Sequence, residues 1–145
     1  MGRLYKQQAV EATCLDISLS RLQQVFDTFD FVAVSFSGGK DSTVCLNLAL
    51  RVAAENKRLP LHVFTFDEEA IPPETVEYMD RVAANDQLVF RWWCMPIQHR
   101  NACSTISPYW YPWALEDKVR WVRELPPRAV TEGIPGFKRD GIADQ

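Results

Sequence analysis

The residues best suited to chemistry form one short run, Ser37-Gly38-Gly39-Lys40-Asp41-Ser42-Thr43. An apolar run, Phe31–Phe36, precedes it and is typical of a strand buried on both faces, while helical spacing follows it. Two adjacent glycines allow positive φ and let the backbone approach a ligand closely. Free N–H groups at the helix start, together with hydroxyls and the Lys40 ammonium, favour an anion there. The run therefore predicts an oxyanion site, with these candidate binding residues: Ser35, Phe36, Ser37, Gly38, Gly39, Lys40, Asp41, Ser42 and Thr43.

The spacing of this run fits neither the Walker A loop nor the dinucleotide-binding glycine motif. It resembles the signature S-G-G-x-D-[ST] of the PP-loop ATP pyrophosphatases, also called adenine nucleotide α-hydrolases, at every fixed position. The resemblance implies a Rossmann-like, three-layer α/β/α fold with a mainly parallel sheet. The alternative is a strand-to-helix turn that happens to contain two glycines, and the strand–loop–helix context favours the functional interpretation.

The resemblance also implies a ligand and a chemistry. The ligand would be ATP or a sulfated adenylate (APS or PAPS), with Mg²⁺ if ATP is used. Backbone N–H groups of residues 37–42 would bind the β- and γ-phosphates while a substrate oxygen attacks the α-phosphorus. Lys40 and Asp41 are the implied catalytic residues: Lys40 would neutralise charge on the leaving pyrophosphate, and Asp41 would orient the loop or a metal.

A second candidate follows the next apolar run, Leu61–Phe66, which has the length of a strand. Asp67 stands directly at its end, where ligands bind in open α/β sheets, and could contact a ribose or adenine group. A solvated acidic loop is an equal alternative for Asp67 and at least an equal one for Glu68 and Glu69. Pro73-Glu74-Thr75 follows, an order that resembles the sulfonucleotide reductases, although Asp-Glu-Glu replaces their usual Asp-Thr-Gly.

The segment after the third apolar run, Leu88–Cys94, is rich in polar donors. Arg100 could bind phosphate or sulfate there, or serve an ordinary surface loop, and the sequence favours neither. Cys103 is equally open, because a nucleophilic thiol needs an activating base or a lowered pKa. The aromatic cluster Ser107–Trp113 is interpreted as packing in preference to base stacking.

Residues 95–125 look like a PAPS-reductase-like branch that occurs in phages and prophages, some of whose members are discussed as regulators. The Glu-Cys-Gly-[IL]-His motif of true reductases is absent from the sequence. Two hypotheses from different classes result: α-phosphate chemistry, as a pyrophosphatase or in sulfonucleotide metabolism, and a non-catalytic nucleotide sensor or partner-binding module. A thiol-dependent reductase acting through Cys103 or Cys94 ranks last.

Further patterns predict the elements that position these residues. A helix begins after Ser18 as its N-cap, and another runs from the loop to about Asn56. Proline in Pro72-Pro73-Glu74-Thr75 is placed to start a third, with Glu74 in its first turn. A helix over Asp117–Leu125 would bury Val119 and Val122. Only three strands can be placed, so that further strands lie within residues 105–145 or the chain is a truncated or minimal relative.

Length and composition suit one domain over residues 1–145, with a core at 19–125 and an irregular tail at 126–145. The net charge of −3 gives no overall basic surface for nucleic acid, though local patches stay open. Four separated cysteines and two histidines argue against a metal site. Without a membrane-length apolar run or a signal peptide, the expected location is cytoplasmic. A protein partner or homodimer remains open.

Overall fold

The computed structural model of the protein describes residues 11–101 and 103–133. Its helices are α1 (Cys14–Thr28), α2 (Lys40–Glu55), α3 (Pro73–Ala83) and a 3₁₀ helix (Leu115–Arg120). Its strands are β1 (Ala33–Ser35), β2 (Leu61–Phe66), β3 (Leu88–Trp93), β4 (His99–Arg100), β5 (Tyr109–Trp110) and β6 (Ala129–Val130).

The main sheet has the order β1-β2-β3-β6, and every neighbouring pair in it is parallel. Strands β1, β2 and β3 follow one another in the sheet in the same order as in the chain. Two right-handed crossovers in the same direction therefore place α2 and α3 on the same face of the sheet. Helix α1 packs against α2. The prediction of a Rossmann-like α/β fold with a mainly parallel sheet is confirmed.

The fourth strand lies in the segment that was predicted to be an irregular tail. Ala129 pairs with Trp92 and Val130 pairs with Trp93, and the N–H of Cys94 donates to the carbonyl of Val130 at 3.0 Å. A two-residue strand has no alternation to recognise, so only its pairing with β3 reveals it. Of the described residues from 105 onward, Ala129–Val130 therefore add a fourth strand to the main sheet, while β5 belongs to the separate two-stranded sheet.

Helix α1 begins earlier than predicted. Thr13, not Ser18, is its N-cap: the Thr13 hydroxyl accepts from the N–H of Asp16, and the Asp16 carboxylate accepts from the N–H of Thr13. The Thr13 hydroxyl also donates to the Asp16 carboxylate at 2.6 Å, and this bond, together with the one from the Thr13 N–H, lowers the pKa of Asp16. Ser18 lies inside the helix, where its hydroxyl donates to the carbonyl of Cys14.

The two faces of the sheet are unequally covered. On β2, Leu61, Val63 and Thr65 are buried, whereas Phe66 on the opposite face is 45% exposed. Strand β1 is shorter than the predicted apolar run, and Phe31 before it is 67% exposed. The expectation that Phe31–Phe36 forms a strand buried on both faces is wrong, because only the helical face of β1 is packed.

The segment predicted as a helix over Asp117–Leu125 forms instead the 3₁₀ helix Leu115–Arg120. Val119, expected in the core, is 96% exposed, and Val122 is also exposed. The N–H of Val122 donates to the carboxylate of Glu69, so this contact, and not an intrahelical bond, fixes the chain beyond the 3₁₀ helix.

Among the helices of the described ranges, none has the length and apolar character needed to cross a bilayer. The same residues contain no group of three or more His, Cys, Asp or Glu side chains arranged to hold a metal ion.

Candidate phosphate-binding site

The candidate loop is anchored on its strand side by Phe36. This residue is buried, and its N–H donates to the carbonyl of Phe64 on β2 at 2.9 Å. Its ring packs against those of Tyr78 and Phe90. Phe36 was predicted as a binding residue, and the structure gives its side chain a packing position in the core.

The two glycines have different tasks in the turn. Gly38 has φ of +75°, a left-handed conformation that glycine adopts without steric cost. Gly39 is extended and is the N-cap of α2. The chain therefore turns at Gly38 and enters the helix directly after Gly39.

The start of α2 presents free backbone donors. The first backbone hydrogen bond of the helix joins the N–H of Thr43 to the carbonyl of Gly39 at 3.0 Å. The N–H groups of Lys40, Asp41 and Ser42 precede that bond and have no intrahelical acceptor. Helix α2 is 16 residues long, so its dipole adds positive potential at this end. This arrangement suits an anion.

Hydroxyl groups converge on the same turn. The Oγ atoms of Ser37 and Ser42 lie 3.0 Å apart, and the N–H of Ser37 donates to Ser42 Oγ at 3.3 Å. Ser42 and Thr43 both donate to the carbonyl of Gly39, at 2.9 and 2.8 Å. The structure thus brings these predicted residues together and fixes the loop's shape with their hydroxyls. Ser35, the last residue of β1, is exposed at the entrance to the turn.

The charged pair of the loop faces solvent. Lys40 Nζ lies 2.6 Å from Asp41 Oδ1, and both side chains are exposed. An exposed ion pair of this kind is weak and readily exchanges partners. Lys40 is therefore available to an incoming anion.

Helix α3 supports the loop from behind, a role that the sequence did not reveal. A Cβ atom placed on Gly38 would lie 2.7 Å from Thr75 Cγ2 and 2.9 Å from Met79 Cγ. The hydroxyl of Tyr78 lies 3.2 Å from Thr43 Oγ1 and donates to it. The Pro73-Glu74-Thr75 sequence was the available signal, because it places Thr75 in the first turn of this helix.

Asp67 occupies the predicted position at the end of β2, but its carboxylate is bound within the protein. The side chain is 0% exposed and lies 2.5 and 2.6 Å from Arg123 Nη2. It also accepts from Trp92 Nε1 at 2.6 Å and from the N–H of Glu69 at 2.7 Å. A ribose or adenine contact by Asp67 stays a prediction, and it requires exchange of these partners.

The interpretation of Glu69 as part of a solvated acidic loop is wrong. Glu69 is buried, and its carboxylate accepts from the backbone N–H groups of Trp113 and Val122, both at 2.9 Å. These donors lie far along the chain, so the local acidic sequence could not reveal them. Glu68 is exposed, as predicted, with its carboxylate 3.8 Å from His99 Nδ1.

The segment after β3 forms a small antiparallel ribbon in which Arg100 pairs with Tyr109. Arg100 is exposed there, and its role toward phosphate stays a prediction. Trp113 is buried, with its indole N–H donating to the carbonyl of Asp67, which confirms packing for this member of the aromatic cluster. Cys103 is exposed. Burial, with the nearby Asp67 charge, raises the pKa of Cys94, so this thiol is protonated and a poor nucleophile.

A parallel sheet with a glycine turn between its first strand and the following helix defines the class of Rossmann-like α/β proteins. Within that class, residues 31–105 match the family model described as the phosphoadenosine phosphosulfate reductase domain, and the chain belongs to this family. It is 33% identical over 121 residues to the uncharacterized protein YbdN of Escherichia coli K12. That match covers 81% of this chain and 29% of YbdN, so the chain spans less than a third of that relative. No solved structure matches the chain significantly.

Proposed function

We propose that this protein binds an adenine nucleotide, either ATP or a sulfated adenylate (APS or PAPS), through the phosphates at residues 35–43. The observation that carries the proposal is the turn at Gly38 and Gly39, which leads into three N–H groups without intrahelical acceptors. Membership of the phosphoadenosine phosphosulfate reductase domain family supports the nucleotide as the source of the phosphates.

Lys40 and Asp41 have separate roles in this proposal. Lys40 leaves the exposed pair with Asp41 and contacts phosphate oxygens, because a polyanion offers it a stronger partner than one carboxylate. Asp41 is then released to orient the loop or a cation. The donor set fits Mg²⁺ delivered by ATP, since magnesium is commonly held by nucleotide phosphates and one or two carboxylates. Such an ion would neutralise phosphate charge.

The chemistry that fits this placement is attack on the α-phosphorus. A substrate oxygen forms a bond to phosphorus, the bond to the bridging oxygen breaks, and pyrophosphate departs with the electron pair. Lys40 and the free N–H groups stabilise the charge that develops on the departing pyrophosphate. The product retains the adenylyl group on the substrate oxygen.

Calorimetric titration with ATP, APS and PAPS, followed by a pyrophosphate-release assay, tests the proposal. We expect one of the three to bind and ATP to yield pyrophosphate once the acceptor is supplied. Binding without pyrophosphate release under any acceptor would assign the second candidate role, a nucleotide sensor. The ion pair between Asp67 and Arg123 favours that role, because it engages the carboxylate that was predicted to contact the ribose or base. Failure of all three nucleotides to bind would refute the nucleotide site.

The proposal includes a cytoplasmic location, where nucleotides of this class are available. Association with a protein partner or a second copy, and membership of the phage-type branch, stay predictions.

A further inference from the structure

A cavity of about 540 Å³ lies beyond the carboxyl ends of β3 and β6, apart from the loop after β1. Three separate segments enclose it: residues 94–96 after β3, residues 113–125 around the 3₁₀ helix, and residues 131–133 after β6. Small-molecule sites in open α/β sheets lie at this edge, and their volumes are on the order of 300–1,000 Å³. Position and size are those of a ligand site.

The floor of the cavity is apolar, although two of its residues are tryptophans with polar indole N–H groups. Trp113 donates its indole N–H to Asp67 and Trp121 donates its own to the carbonyl of Ala114. Both rings therefore have their polar edges bound within the protein. Met95 and the protonated thiol of Cys94 complete the buried floor. A ligand here gains mainly from contact with rings, methylene groups and sulfur.

Charge at the rim restricts the ligand further. Among the described residues that line the cavity, Glu132 is the one charged residue, and it is exposed at the opening. Arg123 lies over the ring of Trp113 and Lys118 over that of Trp121, but neither cation lines the cavity, and Arg123 is paired with Asp67. A negatively charged ligand would therefore approach the Glu132 carboxylate and would find no cation among the described lining residues. Phosphate and sulfate groups are thus disfavoured here, in contrast to the loop after β1.

We propose that this cavity is a second small-molecule site, which binds an uncharged aromatic or aliphatic group of one or two rings. This second site lies apart from the proposed nucleotide site, and the proposal that it binds a ligand does not depend on nucleotide binding.

Ligand-observed saturation-transfer NMR and calorimetry on the full chain test this site, with 2-naphthol as the neutral probe and 2-naphthalenesulfonate as its anionic match. We expect 2-naphthol to bind with a Kd on the order of 1 mM or below, as is usual for a ligand of this size. The sulfonate should bind at least about five-fold more weakly because of Glu132 and the apolar floor. Glu132→Gln should strengthen sulfonate binding and leave 2-naphthol unchanged.

Leu115→Arg should abolish 2-naphthol binding, since this side chain lines the cavity at its rim and is 77% exposed, so that the fold tolerates the change. Val119→Arg is the matched control, because Val119 lies on the same 3₁₀ helix outside the cavity lining and should bind the probe normally. Leu115→Trp, which narrows the opening without a charge, provides a second variant.

Three results would overturn the proposal. The first is no binding of 2-naphthol, and the second is equal loss in the Leu115 and Val119 variants. The third is competition by adenosine, which would make the cavity a part of the nucleotide site. A dimer that dissociates on Leu115→Arg, together with no probe binding, would identify the cavity as an interface between copies instead.

Discussion

Gly38 and Thr75 touch across the boundary between the loop and helix α3. A Cβ atom at Gly38 would lie 2.7 Å from Thr75 Cγ2, closer than side-chain carbons approach one another. The left-handed turn of the loop and the first turn of α3 are thus fitted to each other. The shape of the candidate phosphate site therefore depends on helix α3, which is distant in sequence. The hydrogen bond from Tyr78 to Thr43, which joins residues 35 positions apart, shows the same dependence.

Gly38→Ala should destabilise the protein by about 2 kcal/mol or more, because it combines a strained φ with a clash. Gly133→Ala is the control: Gly133 also has a positive φ, of +93°, but a Cβ there meets nothing within 4 Å. Its cost should be about 1 kcal/mol. Urea unfolding of both variants measures the difference.

The second substitution Thr75→Ser removes the clashing methyl group and keeps the hydroxyl. Added to Gly38→Ala, it should recover about 0.5–1 kcal/mol relative to the sum of the single changes. Strict additivity of the two changes would show that the contact with Thr75 does not limit residue 38.

Lys40→Ala should weaken nucleotide binding by about ten-fold or more, since it removes a charge-assisted contact to phosphate. It should also abolish pyrophosphate release if the protein is catalytic. Its melting temperature should not change, because the pair with Asp41 is exposed. Arg21→Ala, which removes one cation from an exposed position on α1, should bind nucleotide normally. Undiminished binding in Lys40→Ala would exclude the role assigned to this residue.

Arg123→Met should destabilise the protein by about 3–5 kcal/mol, because it leaves the buried carboxylate of Asp67 without its cation. Arg120→Met is the control. Arg120 is exposed and lies 3.6 Å from Asp117, so its loss should change stability by about 0.5 kcal/mol or less. Equal effects of the two substitutions in chemical denaturation would mean that the Asp67–Arg123 pair contributes no more than a surface pair.

Of the four cysteines, Cys94 should react most slowly with a thiol reagent. Cys14, Cys45 and Cys103 are exposed and should react with a disulfide reagent in the native protein, while Cys94 should react only after denaturation. The raised pKa of Cys94 also fixes the sign of a pH effect. Its stabilising contribution is complete below the unfolded thiol pKa of about 8.5 and is lost as the pH rises above that value, because the unfolded state then releases the proton more easily.

The measurement is urea unfolding between neutral and alkaline pH, with Cys94→Ala as the reference. The variant should show a smaller loss of stability above the unfolded thiol pKa. Identical slopes in the two proteins would contradict the assigned burial effect.

The sequence predicted those parts of the fold that neighbouring residues determine. Strand β2 begins and ends at the predicted residues, Leu61 and Phe66, because the break that ends in Pro60 and the acidic run that starts at Asp67 set its limits. Helix α3 starts at Pro73 because proline suits a first turn. The turn at Gly38 and Gly39 was equally local.

The features that were missed depend on distant partners. Glu69 belongs to an acidic sequence and is buried only because Trp113 and Val122, 44 and 53 positions away, supply N–H groups. The same holds for β6, which needs β3 to become a strand. Within the site, the hydrogen-bond donors of the loop could be predicted from the sequence, whereas the ion pair of Asp67 with Arg123 could not.

The pair between Asp67 and Arg123 joins residues 56 positions apart. Closing a loop of that length lowers the conformational entropy of the chain, and this loss comes before the ion pair can form and offset it. The β1–α2–β2 and β2–α3–β3 units can form from nearer contacts, so the carboxyl edge around Asp67 should be the last region of the protein to reach its final order during folding. Hydrogen exchange on refolding should therefore show the indole of Trp113 gaining protection after the strands of the sheet.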